Sequence, residues 1–239
     1  MKKKLMAVLA LVLVIALSVA GTYAYLTSQQ EVVNTFTVGN VALALDEADV
    51  DNSTPNADRD TANSYKLIPG HTYTKDPTVT VLDKSEAAYV RMKVTFNNAS
   101  QIIAMCTDPE FADDEDYLEL KNAFPIINLL DVNDNGVWTG VAADNDFDTL
   151  DMLADTNYFV YDNGSDTLTY YYYYYKTVAA TNGDVKLPTL FDSITVPEWV
   201  TNDQLAALKD FEINVVAEAI QADGFANADA AWAAFAEQA

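Results

Sequence analysis

The sequence predicts an all-β fold: an antiparallel two-sheet sandwich with short helical excursions and a C-terminal helix. Three observations predict it. Runs of alternating apolar and polar residues recur, most cleanly over 78–82 and 88–96. Turn pairs such as Pro69-Gly70, Asn163-Gly164 and Asn182-Gly183 punctuate them. Six consecutive tyrosines, Tyr170 to Tyr175, form a run that favours a strand.

The chain opens on Lys2, Lys3 and Lys4, then an apolar stretch from Leu5 to Ala20, then Gly21-Thr22-Tyr23-Ala24. This order of charged, apolar and small residues is that of a secretory signal peptide. The alternative is a membrane anchor, but the 16 apolar residues fall short of the roughly 20 that a helix needs to cross a bilayer. The expected organisation is a signal peptide over 1–24, cut after Ala24 with Tyr25 as the near alternative, and a single β-sandwich domain over 25–239. No stable membrane span is expected after cleavage.

Residues 26–45 read as two half-buried strands that change parity at Gly39-Asn40. Val32, Phe36 and Val38 share one side of the first; Val41, Leu43 and Leu45 share one side of the second. Residues 46–64 are acidic and polar and read as a mobile loop. The segments 78–82 and 88–96 are strands joined through Asp83 to Glu86, and Val90, Met92, Val94 and Phe96 mark the core face of the second. Residues 99–130 carry no clean period and read as a helix or an irregular excursion. Asn163-Gly164 joins an incoming strand at 158–161 to the tyrosine strand. Residues 187–196 are extended, 201–208 form a short helix, and 211–218 alternate as a strand. Asn227 caps a final helix over 227–239, with Trp232 and Phe235 as its apolar stripe. The tally is seven to nine strands; spacing alone leaves the connectivity open between jelly roll and Greek key.

Thirteen basic residues less the three leader lysines leave ten, against 36 acidic residues, a formal charge of −26. That charge opposes nucleic acid and bare anionic membrane, which require a basic patch. The single cysteine, Cys106, excludes an internal disulfide and reads as a small buried hydrophobe. One histidine, His71, cannot supply the two or three ligands of a zinc protease. No Gly-x-Ser-x-Gly is present, and no pair of carboxylates stands out. No catalytic residue and no enzymatic activity are therefore expected. Asp131, Asn133 and Asn135, followed by Gly136, match the first half of a calcium loop. Ala142 stands where its bidentate glutamate belongs, so a weak Ca2+ site competes with the plainer reading of an Asx-rich turn.

Gly21-Thr-Tyr-Ala-Tyr-Leu26 and Asn34-Thr-Phe-Thr-Val-Gly39 resemble the signal and mature N-terminus of the TasA/camelysin family of Gram-positive bacteria. Lys75-Asp-Pro-Thr-Val-Thr-Val81, Tyr89-Val-Arg91, the run Tyr170 to Lys176 and Ala217-Glu-Ala-Ile-Gln-Ala-Asp-Gly-Phe225 resemble its clostridial branch. The resemblance implies a jelly-roll sandwich, cleavage by a SipW-type signal peptidase, and a secreted subunit of biofilm matrix or surface fibres. It also implies self-assembly into a homopolymer by strand addition. Residues 25–38 would be the donor, with Val32, Phe36 and Val38 as anchors. Pairing of that strand within its own subunit is the alternative. A secreted glycan- or protein-binding module using the outward tyrosines is a second reading. The metalloprotease activity described for camelysin is a third, and the missing ligands oppose it.

Overall fold

The computed structural model describes residues 40–55, 57–126, 128–132, 137–139 and 159–237. The chain divides into two units, Met1–Val38 and Gly39–Ala239, and the described residues all belong to the second. The strands are β1 (Leu43–Ala48), β2 (Arg59–Asp60), β3 (Thr72–Thr74), β4 (Thr78–Val81), β5 (Ser85–Asn97), β6 (Leu130–Val132), β7 (Trp138–Thr139), β8 (Phe159–Asp162), β9 (Thr167–Tyr174), β10 (Val178–Ala180), β11 (Val185–Lys186), β12 (Phe191–Thr195) and β13 (Ile213–Gln221). The helices are α1 (Ala99–Met105), α2 (Glu115–Ala123), α3 (Asn202–Ala207) and α4 (Ala228–Ala236). The strand count exceeds the expected seven to nine because β2, β7 and β11 have two residues each and β3, β6 and β10 three, too few to show an alternation.

The largest sheet is built on β5. On one side β5 pairs with β9 and β10, and on the other with β13 over nine residues; β8 and β7 pair with the far side of β9. A second sheet runs β11-β4-β1-β2 and a third β3-β12-β6. All pairings are antiparallel, and the three sheets share one core, giving an all-β sandwich. Alternation along β5 decides what faces that core. Val90, Met92, Val94 and Phe96 are at most 1% exposed, while Tyr89, Arg91, Lys93 and Thr95 are half-buried on the outer face. Val79 and Val81 of β4 and Phe191 and Ile194 of β12 join the same core. Each such side chain, fully buried, contributes about 1.5–3 kcal/mol.

The tyrosine run splits by the same period. Tyr170 and Tyr172 point inward, their rings nearly parallel at 6.0 Å, and Tyr170 meets Phe96 edge-on at 6.3 Å. Tyr171 and Tyr173 point outward beside Arg91, at 5.1 and 5.8 Å from its guanidinium. Arg91 is also 4.3 Å from the Trp232 ring and ion-paired to Glu218 at 2.6 Å. This stack fastens α4 to the sheet, as its apolar stripe predicts. Asn227 caps α4 by accepting from the Ala230 N–H at 2.9 Å.

The irregular stretch 99–130 holds α1 and α2. Asp114 caps α2, accepting from the Tyr117 N–H at 2.9 Å. Thr201 and Gln204 cap α3 reciprocally.

Residues 46–64, expected to be a mobile loop, form a pinned hairpin. Glu47 pairs with Asp60 and Ala48 with Arg59. Arg59 is ion-paired to Asp46 and, at 2.7 Å, to Asp76. Asp60 accepts from the hydroxyls of Thr54 at 2.6 Å and Ser53 at 2.7 Å, which hold its carboxyl down at about 2. The acidic and hydroxyl residues that read as solvent-loving are each other's hydrogen-bond partners here.

Candidate assembly site

The feature that distinguishes this sandwich is a sheet edge with which no strand pairs among the described residues. β13 arises from strict alternation: Ile213, Val215, Ala217 and Ala219 pack on the core, while Asn214, Val216 and Glu218 face outward. Two bonds bracket its ladder with β5. Asn97 N–H donates to Glu212 O at 3.4 Å, and Ala222 N–H donates to Ala87 O at 2.7 Å. In an antiparallel ladder the bonded pairs alternate. The even-numbered residues from Glu212 to Ala222 therefore bond to β5. The odd-numbered ones, Ile213, Val215, Ala217, Ala219 and Gln221, aim their N–H and C=O groups away from it. Among the described residues no strand pairs with that side.

The side chains along this edge are only half-buried, as are Leu205, Leu208 and Phe211 beside them. Ile213 and Val215 also line a cleft of about 980 Å³ between β13 and β1. Its apolar wall continues through Leu205, Leu208 and Phe211 to Leu45. Its polar end holds Glu47, Lys75, Asn63 and Tyr65. An open row of main-chain donors and acceptors beside incompletely covered apolar side chains is what an added strand satisfies. On the outer face the Arg91–Glu218 pair and α4 hold β13 in place, so the edge is presented by a fixed strand.

The predicted residues are placed unevenly. Ala24, Tyr25, Val32, Phe36 and Val38 lie outside the described residues, as do Asn133 and Asn135. Asp131 is in β6, its backbone opposite Ser193. Cys106 is 1% exposed and its thiol is pushed up to about 12 by burial, which matches its reading as a buried hydrophobe. The outward tyrosines are partly engaged: Tyr171 and Tyr173 flank Arg91, and Tyr175 is the exposed one of the run at 51%. His71 is exposed, and among the described residues no three His, Cys, Asp or Glu side chains come together in a way that could hold a metal. The open edge of β13 escaped sequence reasoning because alternation assigns faces and says nothing of which strands become neighbours.

No curated protein and no solved structure matches this chain. Its N-terminal third does match a family model: residues 1–78 fit the one described as camelysin metallo-endopeptidase, in keeping with the resemblance to the TasA/camelysin family.

Proposed function

We propose that this protein is a non-enzymatic, exported structural subunit that polymerises into extracellular matrix or cell-surface fibres, each copy adding its N-terminal strand to the sheet of the next. The observation that carries this reading is the edge of β13 with which no described strand pairs, with its outward N–H and C=O groups and half-buried apolar flank. A donor from residues 25–38 complements it chemically. Val32, Phe36 and Val38 share one parity, and Glu31 is the one charge in the segment. The leader at 1–24 supplies both export and, once cut at Ala24, the free N-terminus that strand donation requires. The partners are other copies of the chain and a SipW-type signal peptidase.

The test compares a chain beginning at Tyr25 with one beginning at Gly39 by electron microscopy and sedimentation. Fibres from the first and monomers from the second are expected. Equal assembly by both would refute strand donation. Cleavage of casein that a chelator abolishes would overturn the non-enzymatic part of the reading.

A further inference from the structure

We propose that Lys75 and Asn63 join through an intramolecular isopeptide bond, formed without a cofactor, with Glu47 as the catalytic residue that moves the proton. Three segments supply the groups. Glu47 belongs to β1, Asn63 to the stretch after β2, and Lys75 to the link between β3 and β4. Lys75 and Glu47 are each 7% exposed.

The geometry aligns an amine, a carboxylate and a carboxamide. Lys75 Nζ donates to Glu47 Oε2 at 2.6 Å. The other oxygen, Oε1, accepts from Asn63 Nδ2 at 3.0 Å. One carboxylate thus bridges the nucleophile and the group that must leave. The carboxamide is fixed at its remaining positions as well. Its Nδ2 also donates to Ala48 O at 2.9 Å, and its Oδ1 accepts from the Val50 N–H at 2.8 Å. A donor on Oδ1 makes Cγ more electrophilic and holds the charge that develops on the oxygen during attack. The Tyr65 ring is 5.8 Å from Nζ.

The reaction balances without an oxidant or reductant. A proton passes from Nζ to Oε2, and the freed lone pair attacks Asn63 Cγ. The carbonyl electrons move onto Oδ1, beside the Val50 N–H. The new Nζ–Cγ bond sheds a second proton, which the carboxylate relays to Nδ2. The carbonyl re-forms, the Cγ–Nδ2 bond breaks, and ammonia leaves through the cleft, taking the remaining proton from Glu47 to depart as ammonium. The product is a secondary amide that staples the 49–64 hairpin to the strand leading into β4. A β protein whose one cysteine is buried and free has no disulfide to serve this purpose.

Intact-mass spectrometry and tryptic mapping of the folded protein test the proposal. The expected mass is about 17 Da below that of the sequence, the loss of one ammonia. Trypsin should leave Lys75 uncut and release residues 60–66 joined to residues 67–84. Glu47→Gln and Asn63→Ala should restore the full mass and cleavage after Lys75. A wild-type protein of full mass that is cut at Lys75 overturns the proposal. So does a deficit that maps to Asn135, Asn163 or Asn182, where an Asn-Gly pair can lose ammonia by cyclising on itself. If the variants fail to fold, the wild-type map alone decides.

Discussion

Proline at Ala217 separates assembly from folding. The Ala217 N–H aims at the open side of β13, because its neighbours Val216 and Glu218 carry the ladder to β5. Among the described residues, replacing it removes no main-chain hydrogen bond of the monomer. The cost to folding is the strain of moving φ toward the proline value, about 1 kcal/mol. The cost to an added strand is larger. One main-chain donor is lost, about 1 kcal/mol, and the ring displaces a neighbouring bond of similar worth. Together these are about 2 kcal/mol, roughly thirtyfold in the association constant. The control is one residue away: Val216→Pro breaks a bond to Lys93 and should cost the monomer about 3 kcal/mol or more. Critical concentration by sedimentation reads assembly, and thermal melting by circular dichroism reads stability. Ala217→Pro should melt close to wild type yet polymerise only at far higher concentration. If it stays folded and polymerises at the wild-type critical concentration, the β13 edge is not the acceptor.

Trp232→Ala removes the ring that covers Arg91 and meets Tyr173 at 5.7 Å, and should cost about 3 kcal/mol, seen as a fall of roughly 6–12 °C in Tm with early exposure of α4 to hydrogen exchange. Asp60 has a carboxyl depressed to about 2, so its contribution to the hairpin is present above the unfolded value of 3.8 and fades as pH falls from there towards 2; Ser53→Ala with Thr54→Ala should return the carboxyl toward the ordinary range in an NMR titration. Thr201→Ala deletes one half of the α3 capping box and should cost about 1 kcal/mol in a denaturant titration.

Much of this fold was legible residue by residue. The period of two placed Val90, Met92, Val94 and Phe96 in the core; it divides the tyrosines between two faces as well, but only the structure shows that Tyr170 and Tyr172 are the inward pair and Tyr171 and Tyr173 the outward one. Caps marked α3 and α4, since a helix start needs a side-chain acceptor and Thr201 and Asn227 supply one. The hairpin at 46–64 was misread because its composition is that of a solvated loop. Only the meeting of Arg59 with Asp46 and Asp76, 13 and 17 residues distant, converts it into ordered structure.

By itself the sequence determined the class of fold, the core face of β5, the caps of α3 and α4, the family resemblance at its N-terminus, and the absence of a second histidine or cysteine. These are local matters: periodicity, turn chemistry and residue inventory act over a few neighbouring positions. The tertiary structure decided that no described strand pairs with the outer edge of β13, that Trp232 covers Arg91, and that Glu47 stands between Lys75 and Asn63. Each of these depends on segments far apart in the chain becoming neighbours, and no local pattern encodes which hydrogen-bonding edges and which buried side chains will meet.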